Sequence, residues 1–254
     1  MAPPSRAPRP RVVLVHGSRL SHTQWAPQEA LLRGADLDLV LPDLPGHGAR
    51  ADEPFTLERA VGAIAEAVER GDPTAPVVLV GHSLGGYAAM AYAATFPRRL
   101  GGLLLLGSGA VPVGPGAAAY RLVARVTDAA GPERMTRVND RVLRRLYGAG
   151  LSTLDEIIEG GYYFAVTGAA WQEVMDRCRP AMLRAVTCPV VVAGGAFDQL
   201  NIDAGRFARA ARDGRVVRIP GAGHLAGLDR PEPVARLIAQ VADDAARRGT
   251  MEGP

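Results

Sequence analysis

The stretch that decides the fold of this chain is Val77-Val78-Leu79-Val80-Gly81-His82-Ser83-Leu84-Gly85-Gly86-Tyr87. Its first four residues are β-branched or aliphatic, and so short an apolar run ending at glycine predicts a strand buried on both faces. Residues 88–94 are mostly alanine, which has the lowest helix cost, and predict a helix. Between strand and helix, Gly81-x-Ser83-x-Gly85 predicts a sharp turn from which Ser83 projects.

A serine hydroxyl is a weak nucleophile unless a base lies within hydrogen-bond reach. Two polar residues farther along the chain also follow predicted strands. Asp198 follows residues 188–193, and His224 lies on a glycine-rich loop after residues 215–219. Because the carboxyl ends of parallel strands meet at one edge of a sheet, this pattern favours a Ser83, His224 and Asp198 site.

The segment Gly81-His82-Ser83-Leu84-Gly85-Gly86 resembles the nucleophile elbow of the α/β-hydrolase superfamily, in its serine esterase-like branch. The resemblance implies that His224 is the general base for Ser83 and that Asp198 orients the imidazole. Asp203 is a second candidate for the acid.

The resemblance also implies an oxyanion hole, formed by two backbone N–H groups. Its donors are predicted to be Ser18, which follows the His16-Gly17 pair, and Leu84, which follows the nucleophile. Arg19 is the alternative to Ser18. By the same resemblance, His16 shapes the loop. We expect Asp43 and His47 to be structural parts of a turn, and His82 to point away from Ser83.

Strands alternate with helices up to residue 110, which predicts an α/β fold with a mostly parallel, doubly wound sheet. Only ten residues precede the first strand, so we expect about six strands, as in the compact branch of the superfamily. The predicted organisation is an α/β-hydrolase core at residues 11–110 and 188–247, a helical cap insertion at 111–187, and flexible tails at 1–10 and 248–254.

The predicted cap has helical periodicity, with one apolar face formed by Met135, Val138, Val142, Leu143 and Leu146. Seven arginines lie between residues 121 and 145; we expect a solvated face there, with an acidic substrate as the alternative. Substrate-binding candidates are the following five residues, for which core packing is the alternative role: Arg19, Tyr162, Tyr163, Phe164 and Trp171.

Composition excludes several function classes. The formal net charge is only +3 over 254 residues, which disfavours nucleic-acid binding. Cys178 and Cys188 lack metal-ligand spacing, so no metal is expected, and nothing implies an organic cofactor. Residues 100–120 are uncharged but contain glycines and prolines, which argues against a membrane span. Residues 1–10 lack the apolar core of a secretory signal, so a cytoplasmic location is expected.

The nucleophile type restricts the reaction. A serine with an oxyanion hole suits acyl transfer to water, so the predicted substrate is a small-molecule ester, lactone or thioester, and the predicted intermediate is an acyl-enzyme on Ser83. Three alternatives use the same residues: an acyltransferase, a lyase and a carbon–carbon bond hydrolase. A ligand-binding protein that retains the fold is a further alternative. The oligomeric state and the natural substrate are left open.

Overall fold

The computed structural model describes residues 8–111 and 129–251, apart from the side chains of residues 250 and 251. The strands in these ranges are β1 (Arg11–Val15), β2 (Asp38–Val40), β3 (Val77–His82), β4 (Gly102–Leu106), β5 (Val190–Gly195) and β6 (Gly214–Ile219). The α-helices in these ranges are α1 (Ala26–Leu32), α2 (Leu57–Glu69), α3 (Leu84–Thr95), α4 (Pro132–Tyr147), α5 (Leu154–Glu159), α6 (Thr167–Arg177), α7 (Ala204–Ala210), α8 (Ala226–Asp229) and α9 (Pro231–Met251). Short 3-10 turns occupy His22–Trp25, Gly48–Arg50, Pro180–Ala185 and Gln199–Asn201.

The six strands of the described ranges form one sheet in the order β2-β1-β3-β4-β5-β6, and every neighbouring pair is parallel. The chain therefore winds outward from β1 to one edge and then, through β3, to the other. This arrangement confirms the predicted α/β-hydrolase fold. The carboxyl ends of the strands, including that of β3 before Ser83, lie along one edge of the sheet.

Helices cover both faces of the sheet, because alternate strand residues point to opposite sides. Val13, Leu79 and Leu103 pack on one side with helices α2, α3 and α7. Val12 and Val78 pack on the other side with α1 and α9. In the described ranges, no helix combines the length and the apolar character needed to cross a membrane.

In chain order, helices α4, α5 and α6 come between β4 and β5, where the sequence predicts the insertion. Residues 112–128 of the predicted insertion lie outside the described residues. A small apolar cluster joins the inserted helices to the core through Leu143 and Ile157 on one side and Leu20 on the other. Leu143 is buried, whereas Val142 and Leu146 of the predicted apolar face are exposed.

The C-terminal boundary is corrected by the structure. Helix α9 extends to Met251, so residues 248–251 are helical, whereas the sequence predicts a tail from residue 248. The end of the helix lies against the rest of the chain: Ala245 packs against Gly101, and Arg248 forms an exposed ion pair with Asp213 at 3.2 Å. The remaining predicted tail residues, 252–254, and residues 1–7 lie outside the described ranges.

Cys178 and Cys188 are buried and free of disulfides. Burial raises the pKa of each thiol to about 12, because the thiolate loses its solvation. Both residues belong to the apolar cluster on the α3 side of the sheet. The two thiols therefore pack as small apolar side chains.

Candidate active site

Ser83 lies at a tight turn between β3 and α3, and its backbone has φ 51° and ψ −117°, a conformation that L residues rarely adopt. Glycines on either side make the turn sterically possible. A Cβ at Gly81 would lie 2.4 Å from the Gly85 carbonyl oxygen, and a Cβ at Gly85 would lie 2.3 Å from that of His16. The G-x-S-x-G pattern therefore reflects close backbone packing, which presents Ser83 at the carboxyl edge of the sheet.

The end of β4 holds this turn in place. The backbone N–H of Ser83 donates to the Leu106 carbonyl at 2.9 Å. The Ser108 hydroxyl lies 3.0 Å from the carbonyl oxygen of Ser83 and 3.0 Å from that of Leu106. Gly86 leaves room for this hydroxyl, because a Cβ there would lie 1.9 Å from Ser108 Oγ. Contacts from β4 thus restrain the strained residue on both sides of its backbone.

The imidazole of His224 lies between Ser83 and Asp198. Its Nε2 is 3.1 Å from Ser83 Oγ, and its Nδ1 is 3.0 Å from Asp198 Oδ1. A carboxylate can only accept a hydrogen bond, so Nδ1 donates to Asp198, and the lone pair of an unprotonated Nε2 faces Ser83 Oγ. That lone pair is positioned to take the proton of the Ser83 hydroxyl. The structure therefore brings together the three predicted residues.

Asp198 is ionised in this arrangement. Burial by itself would raise the pKa of its carboxyl, but the hydrogen bond and charge interaction with His224 outweigh burial and keep that pKa below its ordinary value. Oδ1 also accepts the backbone N–H of Leu200 at 2.9 Å. The alternative acid, Asp203, accepts the N–H of Val111 instead.

Gly107, at the end of β4, leaves the space that the Asp198 and His224 side chains occupy. Its φ is +62°, and a Cβ there would lie 3.0 Å from Asp198 Oδ2 and 3.3 Å from both Cε1 and Nδ1 of His224. A side chain at this position would therefore press on both partners of the imidazole–carboxylate hydrogen bond.

His82 contacts both the backbone and the ring of His224. Its Nε2 donates to the backbone carbonyl of His224 at 2.9 Å, and the two ring centroids are 4.9 Å apart. Burial, with a smaller contribution from the charge of His224, lowers the pKa of His82 to about 3. The ring is therefore neutral near pH 7. The structure places His82 in the wall of the same cavity as Ser83 and adds a contact with His224 that sequence reasoning missed.

The loop after β1 is held by two buried side chains. His16 Nδ1 donates to the Gly17 carbonyl at 2.8 Å, and its Nε2 accepts the N–H of Leu44 at 3.0 Å. The N–H of Gly17 donates to Gln24 Oε1 at 2.9 Å. Burial lowers the pKa of His16 to about 3, with further lowering by His47, so this ring is also neutral. These contacts give the loop a fixed backbone next to Ser83.

Three backbone N–H groups were candidates for the oxyanion hole, and one of them is already engaged. The N–H of Arg19 points to His47 Nε2 at 3.3 Å. Within residues 8–111 and 129–251, the N–H groups of Ser18 and Leu84 make no hydrogen bond, and Leu84 is the first residue of α3. The first N–H groups of a helix lack intrahelical partners and favour negative charge. The geometry therefore favours Ser18 and Leu84 over Arg19.

A cavity of about 180 Å³ adjoins Ser83 and His224. Of the five substrate-binding candidates, Arg19 and Trp171 line it. The other three do not line this cavity, and their contacts are those of the alternative role, packing around Arg19 and the small apolar cluster. The Phe164 ring lies under the Arg19 guanidinium, with 5.7 Å from Cζ to the ring centroid. Tyr163 binds the Arg19 carbonyl through its backbone N–H, and Tyr162 packs on Phe164 and the small apolar cluster.

Metal-binding side chains are not clustered in the part of the chain that the structure describes. No group of three or more His, Cys, Asp or Glu residues there has an arrangement that could hold a metal ion. Asp43 instead accepts the backbone N–H groups of His22 and Ala49, at 2.7 and 2.9 Å. Asp43 and His47 thus stabilise the turn beside the oxyanion loop.

Residues 12–237, which include all of these site residues, match the alpha/beta hydrolase family. The chain belongs to this family. A pimeloyl-[acyl-carrier protein] methyl ester esterase of Aromatoleum aromaticum is 30% identical, over 92% of this chain and 98% of that protein. Relatives in the alpha/beta hydrolase family are named as esterases and hydrolases, and this chain is a hydrolase enzyme as well.

Solved structures of the alpha/beta hydrolase family agree with this fold. A thermophilic esterase from Thermogutta terrifontis, with malate bound, superimposes with a TM-score of 0.74 and 28% identity, covering 93% of this chain and 90% of that one. An enol-lactonase from Burkholderia xenovorans has a TM-score of 0.71 over 92% of this chain and 91% of that one. It is 20% identical, so it is similar in fold alone.

Sequence reasoning missed several residues of this alpha/beta hydrolase site. Gly107 and Ser108 directly follow a strand next to β3, a position that signals closeness to the nucleophile. Asp229, whose Oδ2 accepts the N–H of Gly223 at 2.7 Å, holds the loop that carries His224. No local pattern marks the role of His82, since its partner is 142 residues away.

Proposed function

We propose that the chain is a serine hydrolase that cleaves carboxylic esters or lactones through an acyl-enzyme on Ser83. The observation that carries this proposal is the His224 imidazole, which lies 3.1 Å from Ser83 Oγ and 3.0 Å from Asp198 Oδ1. The names of the relatives support an ester substrate: a methyl ester esterase and a thermophilic esterase.

In the first half-reaction, Ser83 Oγ attacks the ester carbonyl carbon while His224 Nε2 takes the hydroxyl proton. The ionised Asp198 stabilises the imidazolium that results. The new oxyanion accepts hydrogen bonds from the N–H groups of Ser18 and Leu84. When the tetrahedral intermediate collapses, the bond to the leaving oxygen breaks, and that oxygen receives the proton from Nε2.

In the second half-reaction, His224 takes a proton from water, and the water oxygen attacks the acyl carbon. The bond from Ser83 Oγ to that carbon then breaks, and Oγ recovers its proton from Nε2. The products are the carboxylic acid and the free enzyme. A lactone follows the same steps, except that its leaving oxygen stays attached to the product.

The inserted helices act as a cap in this proposal, as predicted for residues 111–187. Trp171 of α6 lines the cavity with Ser83, and this contact supports a substrate-covering role.

The test is hydrolysis of p-nitrophenyl acetate by the wild-type chain and by Ser83→Ala, followed by absorbance. We expect the substitution to lower kcat by at least about 1,000-fold. Ser152→Ala, which changes an exposed serine of the insertion, is the matched control and should leave turnover unchanged.

Intact-mass and peptide analysis after a fluorophosphonate reagent should find one adduct, on Ser83. An adduct on another residue, or undiminished turnover in Ser83→Ala, would overturn the proposal. Adding methanol to the p-nitrophenyl acetate assay separates hydrolysis from acyl transfer. If methyl acetate forms faster than acetic acid at low methanol concentration, the chain is an acyltransferase instead.

A further inference from the structure

Arg19 carries a positive charge without a carboxylate partner in the described ranges. Its guanidinium is half-buried, and its Nε is shielded from solvent without a hydrogen-bond partner there. By contrast, the buried guanidinium of Arg11 pairs with Asp38 at 2.7 Å. Buried arginines are normally paired, because an unpaired charge loses its solvation without compensation. The Nε of Arg19 therefore remains available to donate a hydrogen bond to an anion.

The backbone of Arg19 is fixed in an unusual conformation. Its φ is +72°, a value that favours glycine. The N–H is held by His47 Nε2 at 3.3 Å, and the carbonyl accepts the N–H of Tyr163 at 2.9 Å. Residues from the core and from the insertion thus hold a strained arginine in place. Strain of this kind persists where the surrounding structure over-determines it, and it clusters at ligand-binding sites.

The Arg19 side chain lines the same cavity of about 180 Å³ as Ser83 and His224. Its cation rests on the Phe164 ring, which is 4% exposed, so the stem and one face of the guanidinium are already ordered. Among the described lining residues, Arg19 is the only one with a permanent charge, and none has a carboxylate. An anion in this cavity would meet Arg19 with no carboxylate among the described lining residues to compete for it.

We propose that Arg19 selects esters that bear a carboxylate a few atoms from the scissile carbonyl. This inference rests on the proposed function, because it names the substrate class of the Ser83 site. A planar guanidinium matches a carboxylate through paired N–H donors. Arg19, Ser18 and Ser83 line the same cavity, so the charge and the reacting centre face a common space. Arg19 would therefore also offset repulsion between the substrate carboxylate and the developing oxyanion.

The experiment compares two pairs of esters, each matched in shape and differing in charge. Monomethyl succinate and methyl levulinate carry the carboxylate or a neutral acetyl group on the acyl side. Acetoxyacetate and acetoxyacetone carry the same groups on the alcohol side. Acid release in a pH-stat gives kcat/KM for each ester. We expect the wild-type chain to prefer the anionic member of at least one pair. That pair shows whether Arg19 binds a carboxylate on the acyl part or on the alcohol part of the ester.

Arg19→Gln keeps a side chain on the strained backbone but removes the charge. It should lower the anionic-to-neutral ratio of kcat/KM by roughly 10- to 100-fold, the effect of losing a charge-assisted hydrogen bond. Arg19→Lys should restore part of the ratio. Arg19→Gly also removes the charge while relieving the backbone, so it should give the same low ratio even if Arg19→Gln folds poorly. Arg236→Gln, on the exposed side of α9, is the control and should leave the ratio unchanged.

The outcomes separate this inference from the proposed function. If the wild-type chain hydrolyses both members of each pair equally, or if Arg19→Gln keeps the wild-type ratio, Arg19 does not select the substrate, while the serine hydrolase proposal stands. If no ester is hydrolysed and Ser83 is not labelled by the fluorophosphonate reagent, the proposed function fails, and the inference fails with it.

Discussion

Tyr147 Oη donates a hydrogen bond to Asp229 Oδ1 at 2.6 Å, and Asp229 Oδ2 accepts the N–H of Gly223 at 2.7 Å. Tyr147 is the last residue of α4, and Gly223 directly precedes His224. One carboxylate thus links the inserted helices to the loop of the proposed general base. The insertion therefore lines the cavity through Trp171 and also, through Tyr147 and Asp229, helps to hold the loop that carries the His224 imidazole.

Tyr147→Phe removes this link and keeps the ring. We expect kcat for p-nitrophenyl acetate to fall several-fold, because the loop of His224 loses one of its supports. The free energy of unfolding should fall by about 1.5–3 kcal/mol, the value of a hydrogen bond to a charged group. Tyr92→Phe, on α3, is the control for loss of a tyrosine hydroxyl and should not change kcat. An unchanged kcat in Tyr147→Phe would mean that the link is structural only.

Gly107→Ala places a methyl group against the Asp198–His224 pair, at a backbone position with φ +62°. We expect kcat to fall by about 10-fold or more, because the imidazole must shift away from Ser83. Gly131→Ala is a matched control: its φ is +79°, but a Cβ there would meet no described residue within 4 Å. Both variants should lose stability from backbone strain, and only Gly107→Ala should lose activity. Equal activities would show that the pair tolerates the displacement.

Replacing Ser83 separates catalysis from strain. Ser83→Ala and Ser83→Gly both remove the hydroxyl and should both abolish turnover. Relief of a strained φ is worth roughly 1–3 kcal/mol, whereas the added flexibility of glycine costs about 0.5–1 kcal/mol. We therefore expect Ser83→Gly to unfold at a higher temperature than Ser83→Ala in differential scanning calorimetry. The opposite order would indicate that the turn stores little strain.

Stability should decline in mild acid because of His16 and His82. The pKa values of these two rings are about 3 in the folded chain, below the ordinary value of 6.5. Between pH 3 and pH 6.5, the two rings therefore bind protons in the unfolded chain and stay neutral in the folded chain. Their contribution to stability is complete above about pH 6.5 and decreases as the pH falls. Each histidine contributes about 1.4 kcal/mol per pH unit in that window. Urea unfolding at pH 7, 6 and 5 measures the slope.

His82→Gln provides the internal check of this pH dependence. Because the substituted residue cannot take up a proton, the slope between pH 6 and pH 5 should decrease by about the contribution of one histidine. A wild-type stability that does not change over this window would contradict the burial of neutral rings at both positions.

The sequence predicts the parallel sheet and the positions of Ser83, Asp198 and His224 for one physical reason. Apolar runs mark the strands, and polar residues just after them must meet, since parallel strands end at a common edge. Contacts between distant side chains carry no such signal. Tyr147 and Asp229 are 82 residues apart, and neither lies in a motif that would reveal the other.

Helix α4 shows a second limit of the sequence pattern. Its periodicity predicts a helix but does not reveal which apolar residues find a partner. Leu143 is 7% exposed, whereas Leu146 is 66% exposed, because the helix meets the small apolar cluster through Leu143. Arg19 shows a third limit, since its left-handed backbone depends on contacts with His47 and Tyr163 that only the folded chain provides.

The two buried cysteines have a practical consequence. The thiolate is the form that attacks thiol-reactive dyes, and with pKa values of about 12 almost no thiolate forms at neutral pH on Cys178 or Cys188. A cysteine introduced at the exposed position of Ser152 would therefore react first. A fluorescent reporter can be attached to the insertion in this way without removing either native thiol.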